Sequence, residues 1–187
     1  NNAVLVGDIA LYTNETFNVE KKDSNIIGIN IIRSCIFKEY GKKVADEEYL
    51  SFIDNAINFF NKKNKKIIIY TNGDKKDNEL ALKIGKKYNI ETIIPHTTKE
   101  LVEVIASFNF IIASRLHSSI IAYSLKISSA SVVWNDKIKD FYTLTKNANN
   151  LLNLKEKNFD KILSNFEEKE KLKEKTKYCL SNFLNDK

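Results

Sequence analysis

The chain has 187 residues, and its 30 Lys and Arg outnumber 24 Asp and Glu for a formal net charge of +6. Hydrophobic residues at 43% and charged residues at 29% fit one compact soluble domain with its own core, and no apolar run approaches the ~20 residues of a membrane span. Only two of the basic residues are Arg, and the lysines interleave with acids, as in Glu167-Glu168-Lys169-Glu170-Lys171. That pattern reads as a solvated face and not as a nucleic-acid surface, which would cluster Arg and Lys among aromatics.

Attraction to an anionic membrane surface stays compatible with the charge. Lys, Asn and Ile are abundant together, as codon bias produces. Cys35 and Cys179 are far apart and offer neither metal spacing nor a disulfide framework, so a reducing cytoplasm is the expected home. The chain opens Asn1-Asn2-Ala3 without Met, which reads as a piece of a longer protein.

In chain order, residues 25–32 (NIIGINII) form an apolar run expected as a buried strand. Residues 46–63 place Leu50, Ile53, Ile57 and Phe60 at helical spacing. Residues 65–73 read as a strand ending at Asn72-Gly73, residues 77–89 as a helix, and 91–95 as a short strand. Thr97, with Glu100 three places on, marks a capping box opening a helix over 97–108. A strand over 109–115 hands over to a helix over 117–126, followed by a strand over 129–135 and a helix over 136–144. From about Phe159 a long charged helix runs to the end. The alternation predicts an α/β, Rossmann-like parallel sheet with helices on both faces and five strands, or six if residues 3–7 join it.

Ligands of such sheets bind at the carboxyl ends of the strands. Three such ends carry chemistry: Arg33-Ser34, Thr71-Asn72 and Ser114-Arg115-Leu116-His117. In a chain that otherwise uses Lys, the two arginines are informative. A guanidinium fork holds carboxylate or phosphate by two parallel bonds, although it could equally tie loop carbonyls or an Asp together. Arg115 lies where a helix begins and free N–H groups favour an anion, with the Ser118 and Ser119 hydroxyls close by.

His117 could be an ordinary surface or core histidine, or an acid whose protonated form a bound anion favours. His96 reads as structural. Lys137 follows the strand over 129–135 and is either a ligand contact or a solvated lysine, and Trp134 beside it could pack or stack. No Gly-rich phosphate loop, Walker lysine, zinc spacing or Gly-x-Ser-x-Gly elbow is present.

The stretch SRLHSSIIAYSLKISSASVVWNDKIKDFY, residues 114–142, resembles the signature of the polysaccharide pyruvyltransferase family: Ser-Arg-Leu-His, a helix of small residues, a strand, and a Lys followed by an aromatic. GINIIRS at 28–34 is similar to the family's strand ending in Arg, and GDIAL at 7–11 to its Asp-Pro-Ala-Leu stretch. Ile9 stands where that stretch has Pro, and Ser128-Ser129-Ala130 where many relatives have Gly and Pro.

The resemblance implies the C-terminal half of a two-domain, glycosyltransferase-B-like architecture. The whole of 1–187 would be that half, with an N-terminal half as its partner and little turnover alone. It also implies transfer of an enolpyruvyl unit from phosphoenolpyruvate to a sugar or lipid-linked saccharide of a bacterial cell-surface polysaccharide. The product is a pyruvate ketal. No cofactor or metal is implied, and the site is cytoplasmic, with room for association at the inner membrane face. By resemblance Arg115 and His117 are catalytic, His117 as general acid. Arg33, Arg115, His117, Ser118 and Lys137 bind substrate. A nucleotide-sugar glycosyltransferase and a non-catalytic anion-binding relative remain the alternatives.

Overall fold

The computed structural model describes residues 8–22, 24–41, 44–157, 159–162 and 164. The chain divides into two units, residues 1–157 and 158–187. In the second, residues 160–162 and 164 are helical; the rest of the helix expected from Phe159 onward lies outside the described residues, as does the strand considered at 3–7.

The first unit holds six parallel strands: β1 (Ile26–Asn30), β2 (Lys66–Tyr70), β3 (Thr92–Ile93), β4 (Phe110–Ala113), β5 (Ser128–Val132) and β6 (Leu151–Leu152). They lie in the order β3-β2-β1-β4-β5-β6. Every residue of β4 is buried, as is all of β1 except half-buried Ile26, so helices cover both faces of the central sheet. This is why these strands read as unbroken apolar runs and not as alternating ones. The architecture is the doubly wound Rossmann-like α/β fold, with strand order reversing between β1 and β4.

Among the described residues of this unit, seven helices surround the sheet: α1 (Thr13–Phe17), α2 (Cys35–Glu39), α3 (Asp46–Lys62), α4 (Lys75–Tyr88), α5 (Thr98–Ala106), α6 (Leu116–Ser124) and α7 (Asp136–Leu144). α3 buries Tyr49, Phe52, Ile53, Ala56, Ile57 and Phe60, while Leu50 is only half-buried. The buried stripe is therefore rotated slightly from the one expected. Asp46, Glu47 and Glu48 in its first turn complement the helix dipole.

Polar side chains set helix boundaries that periodicity alone misplaces. Asp74 caps α4 by accepting from the Lys76 and Asp77 N–H groups, so the helix begins at Lys75 and not at 77. Asn135 accepts from Ile138 N–H and caps α7, which ends β5 at Val132. Thr97 caps α5 through the Glu100 N–H as expected, but the Glu100 carboxylate reaches one residue further back, to the His96 N–H at 2.8 Å.

Gly28 in β1 has no alternative: a Cβ there would lie 2.4 Å from the buried ring of Phe108. Phe108 in turn packs on Tyr70 with ring centroids 5.1 Å apart. α6 is apolar or small along nearly its whole surface, burying Ser118, Ser119, Ile120, Ile121, Ala122 and Ser124. It therefore sits inside the unit against β4, β5, α1 and α5. No helix among the described residues is long and apolar enough to cross a membrane.

Candidate functional site

The carboxyl ends of β1 and β4 flank the point where strand order reverses, and one buried amide joins them. Asn30, the last residue of β1, accepts the Arg115 N–H at 2.9 Å and the Ser114 N–H at 3.3 Å through Oδ1. Its Nδ2 donates to Asn72 Oδ1 at 2.9 Å, and Ser118 Oγ donates to the same oxygen at 2.7 Å. Three strand ends and the first turn of α6 are thus held in one network. An amide inside an apolar strand must find partners or lose hydration without return, and here all of its polar atoms are engaged.

Ser114 is held from every side. Its Oγ shares a hydrogen bond with the Tyr49 hydroxyl at 3.1 Å, and its carbonyl accepts from Trp134 Nε1 at 2.7 Å. Tyr49 OH also accepts the Ile32 N–H at 3.1 Å. Burial pushes the Tyr49 phenol up to about 12, against the opposing hydrogen bonds from Ser114 and Ile32, so it stays a neutral phenol. Trp134 packs rather than stacks on a ligand: it is buried, with Phe37 and Tyr40 edge-on to it. The residue before Arg115 is therefore fixed, and so is the direction in which Arg115 leaves the backbone.

The arginines meet at a residue that spacing did not single out. Asp77, in the first turn of α4 and with no exposed surface, accepts the Arg33 backbone N–H at 2.9 Å on Oδ1. Its Oδ2 accepts Arg115 Nε at 2.9 Å and also Arg115 Nη2. A buried carboxylate is costly unless paired and hydrogen-bonded, and this one is both. Two of the five N–H donors of Arg115 are engaged by Asp77, which leaves three for a ligand. The Arg115 side chain is 24% exposed, enough for a ligand to reach it.

Arg33 is more committed. Its Nη2 bonds Glu39 Oε2 at 3.3 Å, and its Nη1 lies 3.1 Å from Asp74 Oδ2 and 3.6 Å from Asp77 Oδ1. Burial pulls the guanidinium pKa down, but attraction to Asp74, Glu39 and Asp77 outweighs it and leaves it raised. For Asp74, burial acts upward, and the Asp77 N–H, Arg33 and the Lys76 N–H together hold the carboxyl below its usual range. Arg33 Nε is buried with no hydrogen-bond partner among the described residues, and Nη1 is held by ion pairs alone. To grip a ligand with the rest of its fork, Arg33 must exchange carboxylate partners.

α6 starts differently from its neighbours. Side chains cap α4, α5 and α7, but at α6, as at α2 and α3, none does; the Ser118 N–H is taken by the Arg115 carbonyl, and the Leu116 and His117 N–H groups remain for an anion. Ser118 points inward to Asn72, whereas Ser119 accepts from Tyr142 OH at 3.2 Å, on the other side of the helix.

His117 is 65% exposed, with Nε2 3.8 Å from Asp8 Oδ2. That contact joins the 7–11 stretch to the 114–142 stretch. Lys137 is exposed on the first turn of α7. No hydrogen bond links either of them to the Arg33–Asp77–Arg115 cluster. The structure thus brings Arg33, Arg115 and Ser118 into one network, sets His117 at the mouth of the same helix start, and leaves Lys137 one loop away. His96 is exposed at the end of β3, its backbone N–H tied to Glu100.

The fold and this site define a doubly wound α/β domain whose switch-point crevice carries two guanidinium groups beside an uncapped helix start. The chain matches the model of the polysaccharide pyruvyl transferase family over residues 1–136 and belongs to that family. No curated protein and no solved structure matches it. Family membership makes it a transferase of the pyruvyl type acting on polysaccharide.

Proposed function

We propose that the protein transfers an enolpyruvyl unit from phosphoenolpyruvate onto two hydroxyls of a sugar, forming a pyruvate ketal and releasing inorganic phosphate. The observation that carries this reading is the held guanidinium of Arg115 beside the uncapped start of α6. Phosphoenolpyruvate is a small dianionic ester with a carboxylate. It needs a fork for one anionic group and a helix N-terminus for the other. Arg115 and the α6 N–H groups supply these, and Arg33 joins them once it exchanges a carboxylate partner for the ligand. Asp77 acts as a positioning residue.

His117 acts as the general acid. The donor's methylene carbon takes a proton and becomes a methyl group. A sugar hydroxyl adds to the adjoining carbon, phosphate leaves, and the second hydroxyl closes the ketal. The two hydroxyl protons balance the one gained by carbon and the one gained by phosphate. His117 delivers a proton to the methylene carbon or to the departing phosphate. Its exposure lets it exchange with solvent between turnovers. Lys137 contributes charge at the crevice rim. The acceptor is a sugar or lipid-linked saccharide, and the chemistry takes place in the cytoplasm.

The test is phosphate release from phosphoenolpyruvate on adding candidate saccharides, with the ketal methyl group followed by NMR. Arg115→Lys keeps the charge and loses the fork, and roughly a tenfold weaker donor affinity is expected. Equal affinity would remove the fork from the account.

A further inference from the structure

Beside the crevice, at the carboxyl ends of β2 and β3, lies a pocket of about 330 Å³ between the loop before α4 and the loop before α5. That volume is at the lower end of the ~300–1,000 Å³ usual for small-molecule sites. Asn72 and Asn78 line one side, and His96, Thr97 and Thr98 the other, over the apolar surface of Pro95 and Leu101. Gly73 keeps the entrance clear: its φ is +95°, and a Cβ there would lie 3.4 Å from the Pro95 carbonyl.

The chemistry of the lining selects among ligands. Among the described residues no Lys, Arg, Asp or Glu lines it. The start of α5 disfavours anions, because the Glu100 carboxylate sits on the His96 N–H and Thr97 occupies the Glu100 N–H. No Phe, Tyr or Trp among the described residues offers a flat face for a planar base. What remains is hydrogen-bonding groups: the Asn72 Nδ2 N–H groups, without a partner among the described residues, together with the Thr98 hydroxyl and the His96 ring. Asn72 ties this pocket to the crevice, since its Oδ1 accepts from Ser118 and Asn30.

We propose that this pocket is the acceptor subsite, holding an uncharged, polyhydroxylated sugar ring next to the donor crevice. Neutral amides and hydroxyls match neighbouring ring hydroxyls, while Pro95 and Leu101 match a C–H face. The assignment rests on the transferase reading above, since it is that reaction which calls for a sugar beside the anion site.

Backbone amide NMR of the protein tests it, with the methyl glycosides of glucose, galactose, N-acetylglucosamine and N-acetylmannosamine as probes and phosphoenolpyruvate and uridine as comparisons. At least one glycoside should move the Gly73, Asn78 and Thr98 signals and leave Leu116 still, and phosphoenolpyruvate should do the reverse. Thr98→Trp fills the pocket from an exposed position that does not cap α5, and should abolish the glycoside response and raise acceptor KM roughly tenfold with donor affinity unchanged. His96→Ala, also exposed, should weaken the same response if the Trp variant folds poorly. Silence from every glycoside, a response to uridine in their place, or a Thr98→Trp variant that responds like the parent would overturn the assignment. A glycoside response at the pocket without a phosphoenolpyruvate response at α6 would instead remove the donor reading and leave the pocket standing.

Discussion

Within β1, Gly28 lies under the ring of Phe108, and two residues on Asn30 holds the backbone of Ser114 and Arg115. The first region is Ile27, Ile29, Ile68, Ile111 and Phe108, all buried and apolar. The second is Asn30, Thr71, Asp77, Ser114 and Ser118, equally buried and all polar. Burial of the apolar set stabilises the fold directly. Burial of the polar set contributes much less, because desolvation offsets most of each hydrogen bond and of the ion pair. The polar network at the ligand end of the sheet fixes geometry, while the adjoining apolar core supplies most of the stability. The network's product is a fixed Arg115.

That contrast can be broken from either side. Phe108→Ala should have the largest effect on stability, a loss of about 3–5 kcal/mol in chemical denaturation, while donor affinity of the folded fraction stays unchanged. Asp77→Ala should destabilise by about 3 kcal/mol, since it strands the partly buried Arg115 guanidinium and leaves the Arg33 N–H without its acceptor, and should also lower donor affinity more than roughly tenfold. A variant that lost stability alone would make Asp77 merely structural.

Alkaline pH probes the polar network and, separately, the serine hydroxyls under α6. Burial raises Tyr49 in the polar network and Tyr142 beneath α6 from 10.0 to about 12. The fold favours both neutral phenols, so their contribution is full below pH 10.0 and is lost as pH rises through about 12. The expected loss is on the order of 2 kcal/mol for each. Denaturation followed with phenolate absorbance should show unfolding and ionisation together in this window, and Tyr49→Phe should remove the share of Tyr49. Thr97→Ala, which removes the α5 cap, should cost about 1 kcal/mol. Smallest is Lys137→Ala: stability should hold within ~0.5 kcal/mol while donor affinity falls a few-fold.

The strands of the central sheet were legible because burial on both faces leaves unbroken apolar runs. β6 was not: two leucines after an Asn-rich turn carry no periodicity. α1 and α2, at five residues each, are too short to show a helical stripe. In the site, Arg33, Asn72, Arg115 and Ser118 could be found from their place just past strand ends. Asp77 could not, because an acid in the first turn of a helix already has a local explanation in the dipole. Its partners are Arg115, 38 positions away, and Arg33, 44 away. Asn30 did leave a signal, an amide within NIIGINII, since polar groups in buried strands require partners. The pocket before α5 had none, because it forms only when β3 and β2 lie side by side.

The most direct test is calorimetric titration of phosphoenolpyruvate into the protein and into Arg115→Ala, with inorganic phosphate and uridine diphosphate as comparisons. The account predicts that phosphoenolpyruvate binds more tightly than either comparison and that the substitution abolishes its binding. Binding of uridine diphosphate in place of phosphoenolpyruvate, or phosphoenolpyruvate binding that survives Arg115→Ala, would contradict it.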